Sequence, residues 1–111
     1  MTVREEFHAH VYFDTASRDT IEDVQAGLRQ TFDDRIEVST LREKPVGPHP
    51  LPMFEVIFPQ EEYDAVRHWL MENRQNHVVL MHPVMENDLI AHEEFAEWLG
   101  NELPLDYSVL S

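Results

Sequence analysis

The chain has 111 residues, no cysteine, and 22 acidic against 8 basic side chains, which gives a net charge of −14. The missing cysteines exclude disulfides, thiolate metal sites and a cysteine nucleophile, and the acidity argues against a nucleic acid or an anionic membrane as a partner. The length favours a single domain over residues 1–111. No run approaches the roughly 18 apolar residues of a membrane helix, and the N-terminus lacks a signal-peptide core. We therefore predict a cytosolic protein.

The first half of the chain predicts a strand, a helix and a second strand. Residues 6–14 alternate between apolar and polar side chains, as a strand with one covered face does. Apolar residues then recur at helical spacing from Ile21 to Phe32. Residues 35–41 alternate again, and the proline-rich stretch 43–52 predicts a stiff loop.

The second half predicts two more strands, two more helices and a short terminal strand. Proline suits the first turn of a helix, and glycine suits the position after its last turn, so these residues set the helix bounds. The strands cover 53–58 and 77–82, the helices run from Pro59 to about Asn73 and from about Asp88 to Leu99, and 105–110 is a candidate fifth strand.

This order of elements predicts an α+β fold. We expect a ferredoxin-like βαββαβ two-layer sandwich with an extra C-terminal helix and a short fifth strand. The spatial order should be strand 4, strand 1, strand 3, strand 2, with strands 1 and 3 parallel and strand 4 antiparallel beside strand 1. A cupin jelly roll also carries His-x-His, but it needs many strands, and too much of this chain is predicted to be helical.

Two histidines share one face of the first strand. Successive side chains of a strand alternate, so His8 and His10 point the same way. The other face carries apolar residues that suit contact with the helices: Phe7, Ala9, Val11 and Phe13. By the same alternation Glu55, on the third strand, lies on the histidine face.

Two further histidines are expected at the same edge of the sheet. His49 precedes the third strand and His82 ends the fourth, and the predicted topology brings both to the end where the first strand begins. Imidazole is a ligand for Fe, Zn, Cu or Ni, and two histidines with one carboxylate are typical of non-haem Fe(II) oxygenases. Three histidines and a water are typical of catalytic zinc. The alternative is a set of partly buried histidines, each with an ordinary hydrogen-bond partner.

Tyr12 and the three remaining histidines are candidates for several different roles. Tyr12 shares the histidine face and is a candidate hydrogen-bond donor to a substrate. His92 lies on the apolar stripe of the expected third helix, as either a core imidazole or an active-site acid/base. His77 points away from the cluster and His68 is expected to be solvated.

Five segments together resemble the small type of the DOPA 4,5-dioxygenase family, in the same order and with the same spacings. They are FHAHVYFD at 7–14, KPVGPHPLPMFEV at 44–56, WLMENR at 69–74, VVLMHP at 78–83 and DLIAHEEFAEWLG at 88–100. The resemblance implies a ferredoxin-like fold, a dimer, and extradiol cleavage of a catechol by O₂ with non-haem Fe(II). One departure lies beside the proposed site, where Met85 and Glu86 replace the family's Thr-Gly turn.

The resemblance also implies roles for individual residues. The family's histidines match His8, His10, His49, His82 and His92. On this basis our hypothesis for the metal ligands, for Fe(II) or for zinc in a purified sample, is His10, His49, and His82 or His8, with Glu55 as a candidate fourth. His8 or His92 would act as general acid/base. Arg42 and Arg74 are candidates to pair with a substrate carboxylate, or to form surface salt bridges instead.

Two interpretations from other classes stay open. One is a non-catalytic dimeric module that binds a metal or a small molecule through the histidine cluster. The other is a metal-dependent hydrolase that works with zinc and without O₂. A ferredoxin-like sheet has one face that needs cover, so a homodimer is expected under either the dioxygenase or the module interpretation.

Overall fold

A computed structural model describes residues 6–45, 47–84, 95–106 and 108. Its elements in chain order are β1 (Glu6–Tyr12), α1 (Arg18–Phe32), β2 (Glu37–Val38), β3 (Met53–Pro59), α2 (Tyr63–Asn73), β4 (Val79–Pro83) and β5 (Glu97–Leu99). The five strands form one sheet in the order β2-β3-β1-β4-β5. The predicted ferredoxin-like α+β sandwich is confirmed. Within the described part of the chain, no helix is both long enough and apolar enough to cross a membrane.

The main core lies between the two helices and one face of the sheet. The inward stripe of α1 consists of Ile21, Val24, Leu28 and Phe32, and the sheet contributes Ala9, Val11, Phe54, Val56 and Phe58. On α2, Val66 and Leu70 are buried in this core, and Tyr63 and Trp69 pack against it. Gly27 lets α1 approach α2 closely, because a Cβ there would lie 2.7 Å from the Trp69 ring. Burial of this apolar surface is the main stabilising term of the fold.

A second, smaller apolar cluster lies on the opposite face of the sheet. It consists of Tyr12, Met53, Leu80 and Leu105, with Leu51, Val78, Ala96, Trp98 and Leu103 packed around it. After β5 the chain turns at Gly100, whose φ of +93° is strained for other residues. The following segment, 101–106, carries Leu105 onto this face and covers part of it.

The predicted parallel pairing of strands 1 and 3 is wrong, because β1 and β3 pair antiparallel. The reason is connectivity. Helix α1 returns the chain so that β2 runs in the direction of β1, and β3 then reverses against β2. The start of β3 therefore lies at the end of β1, where Met53 opposes Tyr12.

The predicted helix up to Leu99 is also wrong at its C-terminal end, because residues 97–99 form β5 and pair antiparallel with β4. Without β5, the edge of β4 would leave its backbone groups unpaired. The Glu97 carboxylate faces α2 and accepts hydrogen bonds from Arg67 and Tyr63. The bond from Arg67 holds the pKa of Glu97 below its usual value. The rest of the expected helix, with its start at Asp88, lies in 85–94, outside the described residues.

The expected strand at 105–110 is wrong for the described residues there. Leu105, Asp106 and Ser108 are not in a strand. The fifth strand of the sheet is β5 instead, and the segment after it packs across the sheet through Leu105.

Candidate metal centre

Three of the histidines come from two neighbouring strands. On β1, His8 and His10 alternate with the core residues Ala9 and Val11 and so face away from the helices. His82 on β4 lies directly opposite His8, and Glu55 on β3 lies directly opposite His10. Residues opposite each other in an antiparallel pair share a face, so these four side chains meet by strand register alone.

His49 reaches the same place from the other direction. The loop before β3 starts near the Tyr12 end of β1, whereas His82 lies near the opposite end of that strand. The two rings flank His10: its centroid is 4.1 Å from that of His49 and 5.0 Å from that of His82. The expectation that both would arrive at one end of the first strand is therefore wrong. The four rings still form one cluster, in which the centroid of His10 lies within 6.2 Å of each of the other three.

Three of these imidazoles form a group able to hold a metal ion. Ligand atoms of His8, His10 and His82 all lie within 4.8 Å of one another. The Nε2 atoms of His10 and His82 are 2.9 Å apart. With metal–nitrogen bonds near 2.1 Å, two ligands at a right angle are about 3.0 Å apart. These two nitrogens are thus already spaced as neighbouring ligands of one ion.

The hydrogen bonds of this group place one lone pair where a metal needs it, because His82 Nε2 accepts from His10 Nε2–H, whose proton a bound metal would replace. His82 Nδ1 lies 2.9 Å from the Pro83 carbonyl oxygen, which can only accept, so Nδ1 carries the proton and Nε2 of the neutral ring has the lone pair. Metal-ligating histidines usually donate their second N–H in this way. Glu55 Oε2 lies 3.4 Å from His8 Nδ1 and 3.6 Å from His10 Nδ1. Three imidazoles beside a carboxylate form a donor set that suits Fe(II) or zinc.

Burial differs across the cluster. His10, His49 and His82 are 3–6% exposed, whereas the side chains of His8 and Glu55 are 24% and 20% exposed. Solvent therefore reaches the ligand group mainly beside His8 and Glu55.

Tyr12 contacts His49 within the protein. Its hydroxyl lies 2.6 Å from His49 Nδ1, its side chain is almost completely buried, and its ring stacks on Trp98 with centroids 6.2 Å apart. A direct contact between Tyr12 and a substrate stays a prediction.

The two arginines predicted to bind a substrate lie in different places. Arg42 forms an isolated bridge with Met53, so its side chain starts from the same face as Tyr12 and the histidines. Arg74 lies at the end of α2, and its Nη1 donates to the His77 carbonyl at 3.0 Å. His92 lies outside the described residues. The geometry therefore keeps Arg42 beside the histidine face and gives Arg74 a local structural partner.

Two backbone contacts that hold the histidine cluster in place were not predicted from the sequence. The Pro83 carbonyl orients His82, and the C-terminal segment bonds the His49 loop through the Asp106 N–H and the Pro48 carbonyl, 2.8 Å apart. Backbone groups carry no residue-type signal, so no sequence pattern could have revealed either contact. His77 was correctly left out of the cluster: its Nδ1 lies 2.9 Å from the Tyr12 carbonyl and its Nε2 lies 2.7 Å from Thr20 Oγ1.

The fold and the site together define a class: a two-layer α+β protein whose sheet face away from the helices carries three imidazoles and a carboxylate, a group able to hold a metal ion. The model of the Dopa 4,5-dioxygenase family matches residues 7–109. The chain belongs to this family, and the resemblance found in the sequence is confirmed.

Three individual proteins, two of them named as dioxygenases, are similar to this chain. A crystal structure from Nostoc punctiforme, described as a "putative dioxygenase", superposes with a TM-score of 0.89 at 39% identity and covers 95% of this chain and 90% of that chain. The "DOPA 4,5-dioxygenase" of Amanita muscaria is 28% identical over 95% of this chain. An "uncharacterized 21.2 kDa protein" of Botryotinia fuckeliana is 32% identical over 97% of it. This chain spans 49% and 64% of the lengths of those two fungal proteins, respectively.

Proposed function

We propose that this protein is a non-haem iron dioxygenase that cleaves the ring of a DOPA-like catechol in extradiol fashion, with O₂ as co-substrate. Family membership supports a dioxygenase-like function. The observation that carries the finer proposal is the convergence of His8, His10 and His82 beside Glu55. In the proposal these three histidines bind Fe(II), and in a sample purified without iron the same nitrogen atoms bind zinc.

The residues of the chain prepare this site before any metal binds. His82 is held by the Pro83 carbonyl with its Nε2 lone pair directed at His10 Nε2. The Glu55 carboxylate lies beside the Nδ1 atoms of His8 and His10, where it orients both rings. Bound Fe(II) supplies a Lewis acid that lowers the pKa of a catechol hydroxyl and the one-electron chemistry that O₂ requires.

Substrate binding must also overcome the charge of the chain. With a net charge of −14, the protein repels a catechol that carries a carboxylate. Arg42 starts from the histidine face, and its guanidinium can pair with such a carboxylate through two parallel hydrogen bonds. We propose Arg42, rather than Arg74, as the residue that binds this group.

The test is a reconstitution. The protein is purified without added metal, its metal content is measured, and it is stripped with a chelator and reloaded with Fe(II) or zinc. An oxygen electrode then follows turnover of DOPA, caffeate and protocatechuate, with absorbance reporting a yellow ring-cleavage product. We expect the protein reloaded with Fe(II) to take up oxygen in the presence of a catechol, and the protein reloaded with zinc to take up none. No uptake with any of the three catechols would contradict the proposal.

Two glutamine variants provide a matched pair. His82→Gln removes a proposed ligand, so iron content and oxygen uptake should both fall by about 100-fold or more. His68→Gln makes the same change on the outer side of α2, where the side chain is 76% exposed, and should alter neither. Equal losses in both variants would indicate a general effect of histidine removal, not a site.

The same samples distinguish the other interpretations. A non-catalytic module would show no turnover with any metal, and a hydrolase would work with zinc under anaerobic conditions. The homodimer and the cytosolic location stay predictions, and light scattering of the purified protein tests the first of them.

A further inference from the structure

The hydrogen bond between Tyr12 and His49 points to a division of roles among the histidines. We infer that Tyr12 is a positioning residue, which holds His49 with its ring proton on Nε2. His49 then serves the site as a hydrogen-bond donor and not as a metal ligand. The donor role rests on the proposed function, because its partner is an oxygen of the bound catechol.

The chemistry of the two groups sets the direction of this bond. The hydroxyl of Tyr12 and Nδ1 of His49 are 2.6 Å apart. A phenol, with a pKa near 10, is a good donor, and a neutral imidazole, whose conjugate acid has a pKa near 6.5, is a good acceptor. The favoured arrangement is O–H to Nδ1, which leaves the single proton of neutral His49 on Nε2. While Tyr12 donates to Nδ1, this proton cannot move there, so His49 Nε2 offers no lone pair to a metal. His10 differs, because its Nε2 proton can shift to Nδ1, which lies 3.6 Å from the Glu55 carboxylate.

The His49 side chain is held in this position from three sides. Its ring lies against His10, with centroids 4.1 Å apart. Tyr12 is in turn buried, and its ring stacks on that of Trp98. On the far side of the loop the Asp106 N–H donates to the Pro48 carbonyl at 2.8 Å, and the neighbouring Leu105 is buried against Tyr12. The C-terminal segment thus restrains the loop next to His49.

The placement of His49 agrees with a donor rather than a fourth ligand. It lies beside His10 but is not part of the group whose ligand atoms converge within 4.8 Å, which is His8, His10 and His82. An N–H fixed next to the ligand group stabilises an anionic oxygen of a catechol, as preorganised donors do. His49 would therefore contribute to catalysis, and Tyr12 would act through it.

Nitrogen NMR tests the tautomer without any turnover. In metal-free protein labelled with ¹⁵N-histidine, assigned with His49→Gln, His49 should show a pyridine-like Nδ1 and a pyrrole-like Nε2. Tyr12→Phe keeps the ring and removes the hydroxyl, so both signals should move toward a mixture of tautomers. Tyr63→Phe removes a hydroxyl bonded to Glu97 on the helix face and should leave them unchanged. A protonated Nδ1 in the unaltered protein would overturn the inference.

Metal binding tests the ligand set, again without turnover. In calorimetric zinc titrations, His82→Gln should weaken binding by about 100-fold or more, whereas His49→Gln and Tyr12→Phe should stay within about threefold of the unaltered protein. A loss in His49→Gln as large as that in His82→Gln would make His49 a ligand and overturn the inference.

Kinetics of the iron-loaded protein tests the donor role. Tyr12→Phe should lower kcat by about 10- to 100-fold with iron content retained, and His49→Gln, which keeps an N–H donor, should be more active than His49→Ala. An unchanged kcat in Tyr12→Phe would contradict the positioning role. If the unaltered protein consumes no O₂ with any catechol, the proposed function fails, while the NMR and zinc results still decide the tautomer and the ligand set.

Discussion

The two faces of the sheet are made from alternate residues of the same strands, yet they carry different kinds of side chain. Toward the helices β1 presents Ala9 and Val11, which are fully buried in one continuous apolar core. Toward the other side it presents His8 and His10, which meet His82 and Glu55. The comparison indicates that stability and the proposed metal binding are separable in this protein, because a strand directs neighbouring side chains to opposite faces.

The largest effect on stability should come from the helix face. Leu28→Ala removes a fully buried side chain from α1, and such truncations cost about 2–5 kcal/mol. Urea denaturation should show this loss, while the zinc affinity of the folded variant stays unchanged. Met71→Ala, at a position 52% exposed, is the control and should change stability little. A large loss of zinc affinity in Leu28→Ala would contradict the separation of the two faces.

Metal removal should have the next largest effect, and it should not unfold the protein. The apolar core contains none of the proposed ligands, so the far-ultraviolet circular dichroism of the chelated protein should match that of the loaded one. Metal at 100 times its Kd stabilises the fold by about 2.7 kcal/mol. His82→Gln should show no such gain on adding metal, and unfolding upon chelation would show that the two faces depend on each other.

A smaller effect is expected when the same leucine truncation is made on the histidine face. Leu105 is 9% exposed and belongs to the smaller cluster, so Leu105→Ala should cost about 2 kcal/mol, at the low end of such changes. Unlike Leu28→Ala, it should also shift the ¹⁵N signals of His49, because the C-terminal segment bonds the loop at Pro48. Unshifted signals would indicate that this segment does not position His49.

The smallest effect should be a pH dependence at His77, which joins β1 to α1. Burial lowers the pKa of His77 from its usual 6.5, so the unfolded chain binds more protons between the two pKa values. Its contribution to stability is therefore complete above about pH 6.5, falls as the pH drops, and is lost below the pKa of the folded state. His77→Asn keeps a donor toward the Tyr12 carbonyl, and its stability should decline less over this range. Parallel profiles for both proteins would contradict this assignment.

The sequence predicted correctly which side chains share one face of the sheet, but it predicted the direction of the strands that carry them only in part. Alternation placed His8, His10 and Glu55 together, and pairing with β4 brought His82 beside them. His49 also reached the cluster, although β3 runs opposite to the predicted direction. The error arose from strand direction, which follows from connectivity: α1 returns the chain so that β2 runs in the direction of β1, and the loop before β3 then reverses it.

The segment at 95–99 shows why local periodicity was insufficient. Its few apolar residues fit a helix stripe and a strand equally well, as short runs often do. Residues 97–99 form a strand because they pair with the edge of β4, and the hydrogen bond from Arg67 to Glu97 holds them there. The contact between Asp106 and Pro48, which joins residues 58 positions apart, had no counterpart in the sequence.

By itself, the sequence determined the class of fold, the faces of the strands, the family and the kinds of side chain available to a metal, because these follow from residue type and periodicity. Only the tertiary structure decided which imidazole nitrogens face one another and that Tyr12 bonds His49. Those contacts depend on strand direction, loop path and backbone carbonyls, and these are set when distant segments pack together rather than by any single stretch of residues.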